Sequence, residues 1–258
     1  MAVAGSQWLR RIAAASAACW QALPGDCALC GARARCGKLC PGCLDDVLAT
    51  MHAAQRRCGR CALRLRACAA SCPDCERRPL ALARVVAGFD YESPGDMLIA
   101  RYKTEMRYAL AGVLADLVMQ AQAASGALPP GAVLVPIPAS RVSLRRRGFN
   151  PAGELARALA RRTGLPLRRH WLARTREGPR QAALTRAGRM QGATGGYTCT
   201  VRLPSCPVVL VDDVMTTGST LHAAALAVRA AGAGEVIALV AARAPANDGG
   251  TLAQYRLP

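Results

Sequence analysis

A chain of 258 residues with 52% apolar content can bury a real core, so a chain too polar to fold is excluded, although only 4% of it is aromatic. Thirty-four basic residues face 16 acidic ones, a formal net charge of +18, and only Lys38 and Lys103 are lysine. That imbalance favours polyanionic partners, whether nucleic acid, phosphorylated ligands or acidic surfaces, and no apolar run reaches the length of a membrane span.

In residues 1–23, Trp8, Ile12, Ala15 and Cys19 share a helical stripe behind Arg10 and Arg11. The apolar part is mostly alanine and ends at Gln21 and Pro24, which predicts a short amphipathic helix rather than a signal peptide. Residues 24–80 hold most of the thirteen cysteines. Cys27 and Cys30 form one CxxC pair and Cys40 and Cys43 another; Cys58 and Cys61, then Cys72 and Cys75, repeat the pattern. Each CxxC turn offers two thiolates to one tetrahedral ion and a second turn completes the set, so two structural zinc ions are expected. A disulfide domain is the rival reading, but it needs an oxidising compartment; thiolate ligands agree with a cytoplasmic location. Cys36 and Cys68 lie between the pairs and are read as spare thiols, with metal ligation as their alternative. Cys199 and Cys206, like Cys19, are read as packed small hydrophobes.

From residue 81 to residue 245 the chain alternates strand and helix. Arg84 to Tyr91 has strand character, and Ser93 to Asp96 reads as a turn leading into a helix with Leu110, Val113, Leu114, Leu117 and Val118 on one face. Val133 to Val135 is a short strand running into Pro136-Ile137-Pro138. A basic loop is expected next. Fourteen arginines and only two acids, Glu154 and Glu177, lie between Arg141 and Arg189. Asn150-Pro151 reads as an N-cap with proline at the first helical position, and Ala152, Leu155, Ala156, Leu159 and Ala160 give that helix its apolar stripe. Val236 to Ala242 supplies a last strand, and residues 246–258 are left as a tail. Alternating strands and helices predict an α/β fold, a parallel sheet covered on both faces, with the ligand at the carboxyl ends of its strands.

The densest signal is Val208 to Thr220, VVLVDDVMTTGST. Val208 to Val211 form a strand, Asp212 and Asp213 stand at its end, and Thr216, Thr217, Gly218, Ser219 and Thr220 form a hydroxyl-rich turn. A helix follows with Leu221, Ala224, Ala225 and Val228 on its apolar face. Free helical N–H groups and the positive end of the helix dipole attract a phosphate. The carboxylates repel that phosphate but suit hydroxyl groups or a cation on the same ligand, so a sugar phosphate satisfies both halves. His52, His170 and His222 are scattered, and His222 reads as a helix-surface residue. Trp171 and Tyr197 are too few for a stacking surface.

This segment resembles the phosphoribosyl pyrophosphate (PRPP) loop of type I phosphoribosyltransferases. The order of a double zinc ribbon, VPIP, RRRGFN and VDDVMTTG, over about Cys27 to Pro245, resembles the ComF family, phosphoribosyltransferase-like proteins linked with DNA uptake in competent bacteria. The resemblance implies that Asp212 and Asp213 hold ribose at the catalytic centre, and that Val211 and Thr216 to Thr220 complete the PRPP site with Mg2+. It places Pro136 and Pro138 in a pyrophosphate loop, and Arg145, Arg147, Gly148, Asn150, Lys103, Gln181 and Leu184 in the shared motif. The chain departs from the family at Pro151, where glutamine is common, and at Gly192, which an ungapped match puts at an asparagine; Gly195-Gly196-Tyr197 then stands where the family has a Gly-Ala-Phe run. Two functions follow: a phosphoribosyltransferase with an unknown acceptor, or a non-catalytic DNA-uptake accessory protein that holds single-stranded DNA or partner proteins through its zinc ribbons and arginines.

Overall fold

The computed structural model describes residues 24–35, 38–51, 56–65, 69, 71–175 and 196–245. The helix expected in residues 1–23, the tail 246–258, Cys36, Cys68, His52, Gln181, Leu184, Gly192 and Gly195 lie outside these residues. In chain order the elements are β1 (Pro24–Asp26), β2 (Arg33–Arg35), α1 (Pro41–Ala49), α2 (Pro73–Arg77), β3 (Arg84–Asp90), α3 (Gly95–Thr104), α4 (Leu110–Ala124), β4 (Val133–Pro136), α5 (Arg141–Arg147), α6 (Pro151–Thr163), β5 (Leu172–Arg174), β6 (Tyr197–Cys199), β7 (Val208–Met215), α7 (Ser219–Ala230) and β8 (Val236–Arg243).

The central sheet has four strands in the order β3-β8-β7-β4, and every neighbouring pair is parallel. Parallel strands buried on both faces read as continuous apolar runs, as Val208 to Val211 and Val236 to Ala242 do. Val86, Val209, Val211 and Leu239 face α3, α4 and α6, through Leu98, Leu114, Leu117, Leu155 and Leu159. Val85, Leu210, Ala238 and Val240 face α7, where Leu221, Ala224, Ala225 and Val228 form the predicted stripe. Gly88 on β3 permits a close approach: a Cβ there would lie 2.9 Å from the Ala241 carbonyl and 3.1 Å from the Val118 amide nitrogen, so α4 rests on the sheet at backbone distance.

Both cysteine modules merge with this core. Cys27, Leu29, Leu39 and Val47 join the cluster on the α4 face, whereas Cys61, Leu63 and Cys72 join the one on the α7 face. The second module is also clamped by charge. Asp90, 2% exposed, takes both terminal nitrogens of Arg57 at 2.8 Å and has Arg64 at 3.6 Å.

Three local expectations change. The helical stretch after Ser93 is two helices, α3 and α4, broken where Met106 takes φ +52°. Tyr102 and Tyr108 on either side of the break both meet the Phe149 ring edge-on, with centroids 5.6 and 4.7 Å away. The expected basic loop after Pro138 is helix α5. The Ser140 hydroxyl accepts from the Ser143 N–H, and Gly148 closes the helix at φ +73°, with Arg145, Arg146 and Arg147 at the negative end of its dipole. The antiparallel pair β5 and β6 adds two short strands that the sequence pattern does not predict.

Candidate functional site

β7 does not stop at Val211. It carries Asp212 and Asp213 within the strand to Met215, because β8 continues the ladder alongside, with Asp212 opposite Val240 and Val214 opposite Ala242. The acids therefore sit on rigid backbone near the carboxyl end of the sheet. They line a cleft of about 200 Å³ together with Lys103, Ile137, Pro138, Ser140, Ser143, Arg147, Asn150, Arg174, Tyr197 and Thr220.

Lys103, near the end of α3, places its ammonium 3.1 Å from Asp213 Oδ2, with both side chains mostly buried. Asp212 differs. Burial, with the Asp213 carboxylate beside it, pushes its pKa up to about 8, against the pull of its hydrogen bond from the Asp213 N–H and of Lys103. One acid is thus neutralised by a cation while the other holds its proton near neutral pH until a ligand supplies hydroxyl donors or positive charge.

After Met215 the chain turns through Thr216 and Thr217 into α7. Gly218 takes φ +76°, and a Cβ there would lie 2.6 Å from Met215 Cε, so the turn needs glycine. Thr216, Thr217 and Ser219 are exposed. The Thr217 hydroxyl lies 3.1 Å from that of Ser219, beside the first N–H groups of α7, which have no intrahelical partner. His222 does more than face solvent: its Nδ1 accepts from the Ala81 N–H at 3.1 Å, tying the segment before β3 to α7.

Across the cleft, Asn150 caps α6 by position but not by its side chain, which donates to the Ile137 carbonyl at 3.0 Å and braces the VPIP turn. The structure thus gathers Lys103, Pro138, Arg147, Asn150, Asp212, Asp213 and Thr220 into one lining. Pro136 and Val211 lie behind it, paired in the sheet. Arg145 and Gly148 are exposed on α5 and its cap, outside the lining. Arg174 and Tyr197 are additions. The β5–β6 register puts them opposite each other, with the guanidinium 5.4 Å from the ring centroid and 3.2 Å from the phenol oxygen. No local sequence signal pairs two residues so far apart in the chain.

The cysteines form two groups, Cys27, Cys30, Cys40 and Cys43, and Cys58, Cys61, Cys72 and Cys75, each with its sulfurs within 4.8 Å of one another. The Cys30–Cys40, Cys61–Cys72 and Cys58–Cys75 sulfur separations are 3.6, 3.6 and 3.7 Å. A tetrahedral zinc with Zn–S near 2.3 Å sets sulfurs about 3.8 Å apart, whereas a disulfide needs about 2.05 Å. The clusters therefore fit two structural zinc ions and no disulfides. Cys199 and Cys206 pack against the α7-side core as small hydrophobes. No helix among the described residues is long and apolar enough to cross a membrane.

Residues 142–250 match the phosphoribosyl transferase domain family, which agrees with the parallel sheet and with the loop that follows β7. The chain is 28% identical to competence protein F of Haemophilus influenzae over 205 residues, 77% of this chain and 87% of the relative. It is 30% identical to the DNA utilization protein YhgH of Salmonella typhimurium over 169 residues, 64% of this chain and 74% of the relative. With YhgH of Escherichia coli K12 it shares 29% identity over 202 residues, 76% and 81% of the two chains. The chain belongs to the ComF family, with a phosphoribosyltransferase-type domain behind two four-cysteine clusters.

Proposed function

We propose that the cleft binds PRPP with magnesium and that the site is built for phosphoribosyl transfer. The observation that carries this reading is the convergence of Asp212, Asp213, Lys103, Arg147 and Thr220 on one cleft at the carboxyl ends of β4 and β7. Asp212 and Asp213 accept hydrogen bonds from the ribose hydroxyls. The N–H groups at the start of α7 and the hydroxyls of Thr216, Thr217, Ser219 and Thr220 take the 5′-phosphate. Arg147, with the turn from Pro136 to Ser140, faces the pyrophosphate, where a guanidinium meets phosphate oxygens in bidentate fashion. Two carboxylates are too few to cage magnesium, which suits an ion held jointly by one or two carboxylates and the ligand's phosphates; Asp212 and Asp213 would help hold such an ion, and it would supply charge neutralisation to the pyrophosphate. Displacement at ribose C1 develops oxocarbenium character, and the acids beside the ring oppose that positive charge.

In this reading residues 24–80 are a zinc-closed support and residues 81–245 the ligand-binding unit, in a cytoplasmic protein. Calorimetry with PRPP and magnesium is the direct test. Saturable one-site binding is expected, and absence of binding to fully zinc-loaded protein overturns the reading.

The names of the relatives and the +18 charge favour a second role, contact with single-stranded DNA or DNA-uptake partners during competence. Exposed Arg141, Arg145 and Arg146 on α5, the helix whose Ser143 and Arg147 line the cleft, supply positive charge for it. Affinity for an oligonucleotide is expected to fall steeply with salt, by about 0.7 log units per log unit of salt for each phosphate neutralised on a single strand. Salt-insensitive or undetectable binding removes this role.

A further inference from the structure

Arg243, the last residue of β8, is 2% exposed and lies in the ladder between Asp90 of β3 and Met215 of β7. Its guanidinium reaches in three directions. Nε donates to the Cys61 carbonyl at 3.0 Å. Nη1 donates to the carbonyls of Thr216 at 2.6 Å, Ala244 at 2.5 Å and Met215 at 3.4 Å. Nη2 stands 3.8 Å from Asp74 Oδ2. Cys61 belongs to the second four-cysteine cluster, and Asp74 lies between its Cys72 and Cys75.

We propose that Arg243 is a positioning residue for the phosphate loop, holding the loop's carbonyl side against the second cysteine module so that its N–H groups stay turned outward. This rests on the ribose phosphate reading of the cleft. In a trans peptide the carbonyl and the following N–H point in opposite directions. Pinning the Thr216 carbonyl to a buried guanidinium turns the Thr217 N–H away from the interior, toward the side from which a phosphate arrives. The Met215 carbonyl, held by the Ala244 N–H at 2.9 Å as well as by Arg243, turns the Thr216 N–H the same way. An apolar side chain would fill the volume without the desolvation cost of a buried charge, so packing alone does not account for arginine here. Lysine keeps the charge, but its single nitrogen cannot serve Cys61 and Thr216 as a planar fork does.

The test compares Arg243→Lys with Asp90→Asn, which loosens the same cysteine module through Arg57 and Arg64 without touching the loop. Full-length proteins are checked for zinc content, titrated with ribose 5-phosphate, and followed by amide hydrogen exchange. Arg243→Lys is expected to bind ribose 5-phosphate about tenfold more weakly, the loss of one hydrogen bond from a charged donor, and to exchange its Ala244 amide, whose N–H is bonded to the Met215 carbonyl at 2.9 Å, about tenfold faster. Asp90→Asn is expected to lose thermal stability with both readouts unchanged. The proposal is overturned if Arg243→Lys exchanges the Ala244 amide at the wild-type rate, or if Asp90→Asn accelerates it equally. Should wild type not bind ribose 5-phosphate, the functional reading fails while the exchange comparison still decides the role of Arg243. Should Arg243→Lys not fold, Asp74→Asn takes its place: about threefold faster exchange supports the proposal, and an unchanged rate overturns it.

Discussion

Asp212→Asn and Asp213→Asn are both expected to weaken ribose 5-phosphate binding by at least about tenfold, the value of one hydrogen bond to a charged acceptor, while shifting stability in opposite directions. Asp213 neutralises Lys103, which is only 8% exposed. Its loss strands a buried ammonium, at a cost of about 3 kcal/mol. Asp212 carries a different penalty. Its pKa is raised to about 8, chiefly by burial, so the native state binds this proton more tightly than the unfolded chain does. The group's stabilising contribution is complete below the ordinary carboxylate range near pH 4, declines as pH rises, and is gone above about pH 8. Asparagine never ionises. Asp212→Asn should therefore melt like wild type at pH 4 and higher than wild type at pH 8, whereas Asp213→Asn should melt lower at pH 8. Ligand binding carries the matching signature. A ligand that needs the ionised Asp212 must displace its proton, so above the phosphate's own second ionisation at about pH 6 affinity should rise from about pH 7 to about pH 8 and then level off in wild type, and stay flat through that interval in Asp212→Asn. Melting curves and titrations over a pH series check both statements; equal stability shifts from the two substitutions would refute the division of roles.

These opposite roles were not legible in the sequence, where Asp212 and Asp213 are adjacent identical residues. Their difference comes from Lys103, which reaches one of them from a separate helix. The parts that were legible are local. Val208 to Thr220 carries strand, acids, glycine and helix stripe in one uninterrupted stretch, and the CxxC spacings specify two clusters without reference to the rest of the chain. The break between α3 and α4 had no glycine or proline to announce it; it depends on two tyrosines meeting Phe149 from another part of the chain. Helix α5 had its signals, Ser140 before it and Gly148 after it, but no apolar stripe, since it lies on the surface with Val142 and Leu144 exposed. Arg174 and Tyr197 needed the β5–β6 register. Arg243 follows the strand expected over Val236 to Ala242, and nothing local marks it as buried; its Nε donates to the carbonyl of Cys61, a residue of the second cysteine module far away in the chain.

The placement of the modules makes the two zinc clusters unequal. Purified protein is expected to hold two zinc ions, and substituting either cluster should remove one, but only loss of the second should disable the cleft. Structural zinc contributes about 10–16 kcal/mol to the folding of an isolated zinc module, as much as the whole net stability of a typical domain, about 5–15 kcal/mol. A module that loses its ion therefore comes apart, and the outcome depends on what it was holding. The first module's polar ties include the Lys38–Asp116 pair, with side chains 39% and 38% exposed, where an exposed ion pair contributes about 0–1 kcal/mol, and a hydrogen bond from the Arg101 guanidinium to the Ala28 carbonyl. Leu63 and the buried Cys61 and Cys72 of the second module belong to the same core cluster as Val85, Leu210 and Met215 of the sheet. This module also supplies the partners of two buried charges, Arg57 for Asp90 and the Cys61 carbonyl for Arg243. Taking the module away exposes that apolar face of the sheet to water and strips Asp90 of Arg57 and Arg243 of the Cys61 carbonyl, so burial and polar ties are lost together. Cys30→Ser should thus leave one zinc and a modestly lowered melting temperature, with ribose 5-phosphate binding retained. Cys61→Ser should leave one zinc, abolish binding, and either lower the melting temperature by well over ten degrees or leave no cooperative transition. Metal analysis, calorimetry and thermal unfolding on the same preparations distinguish the two, and equal behaviour of the variants would show that the sheet does not depend on the second cluster in the way its contacts require.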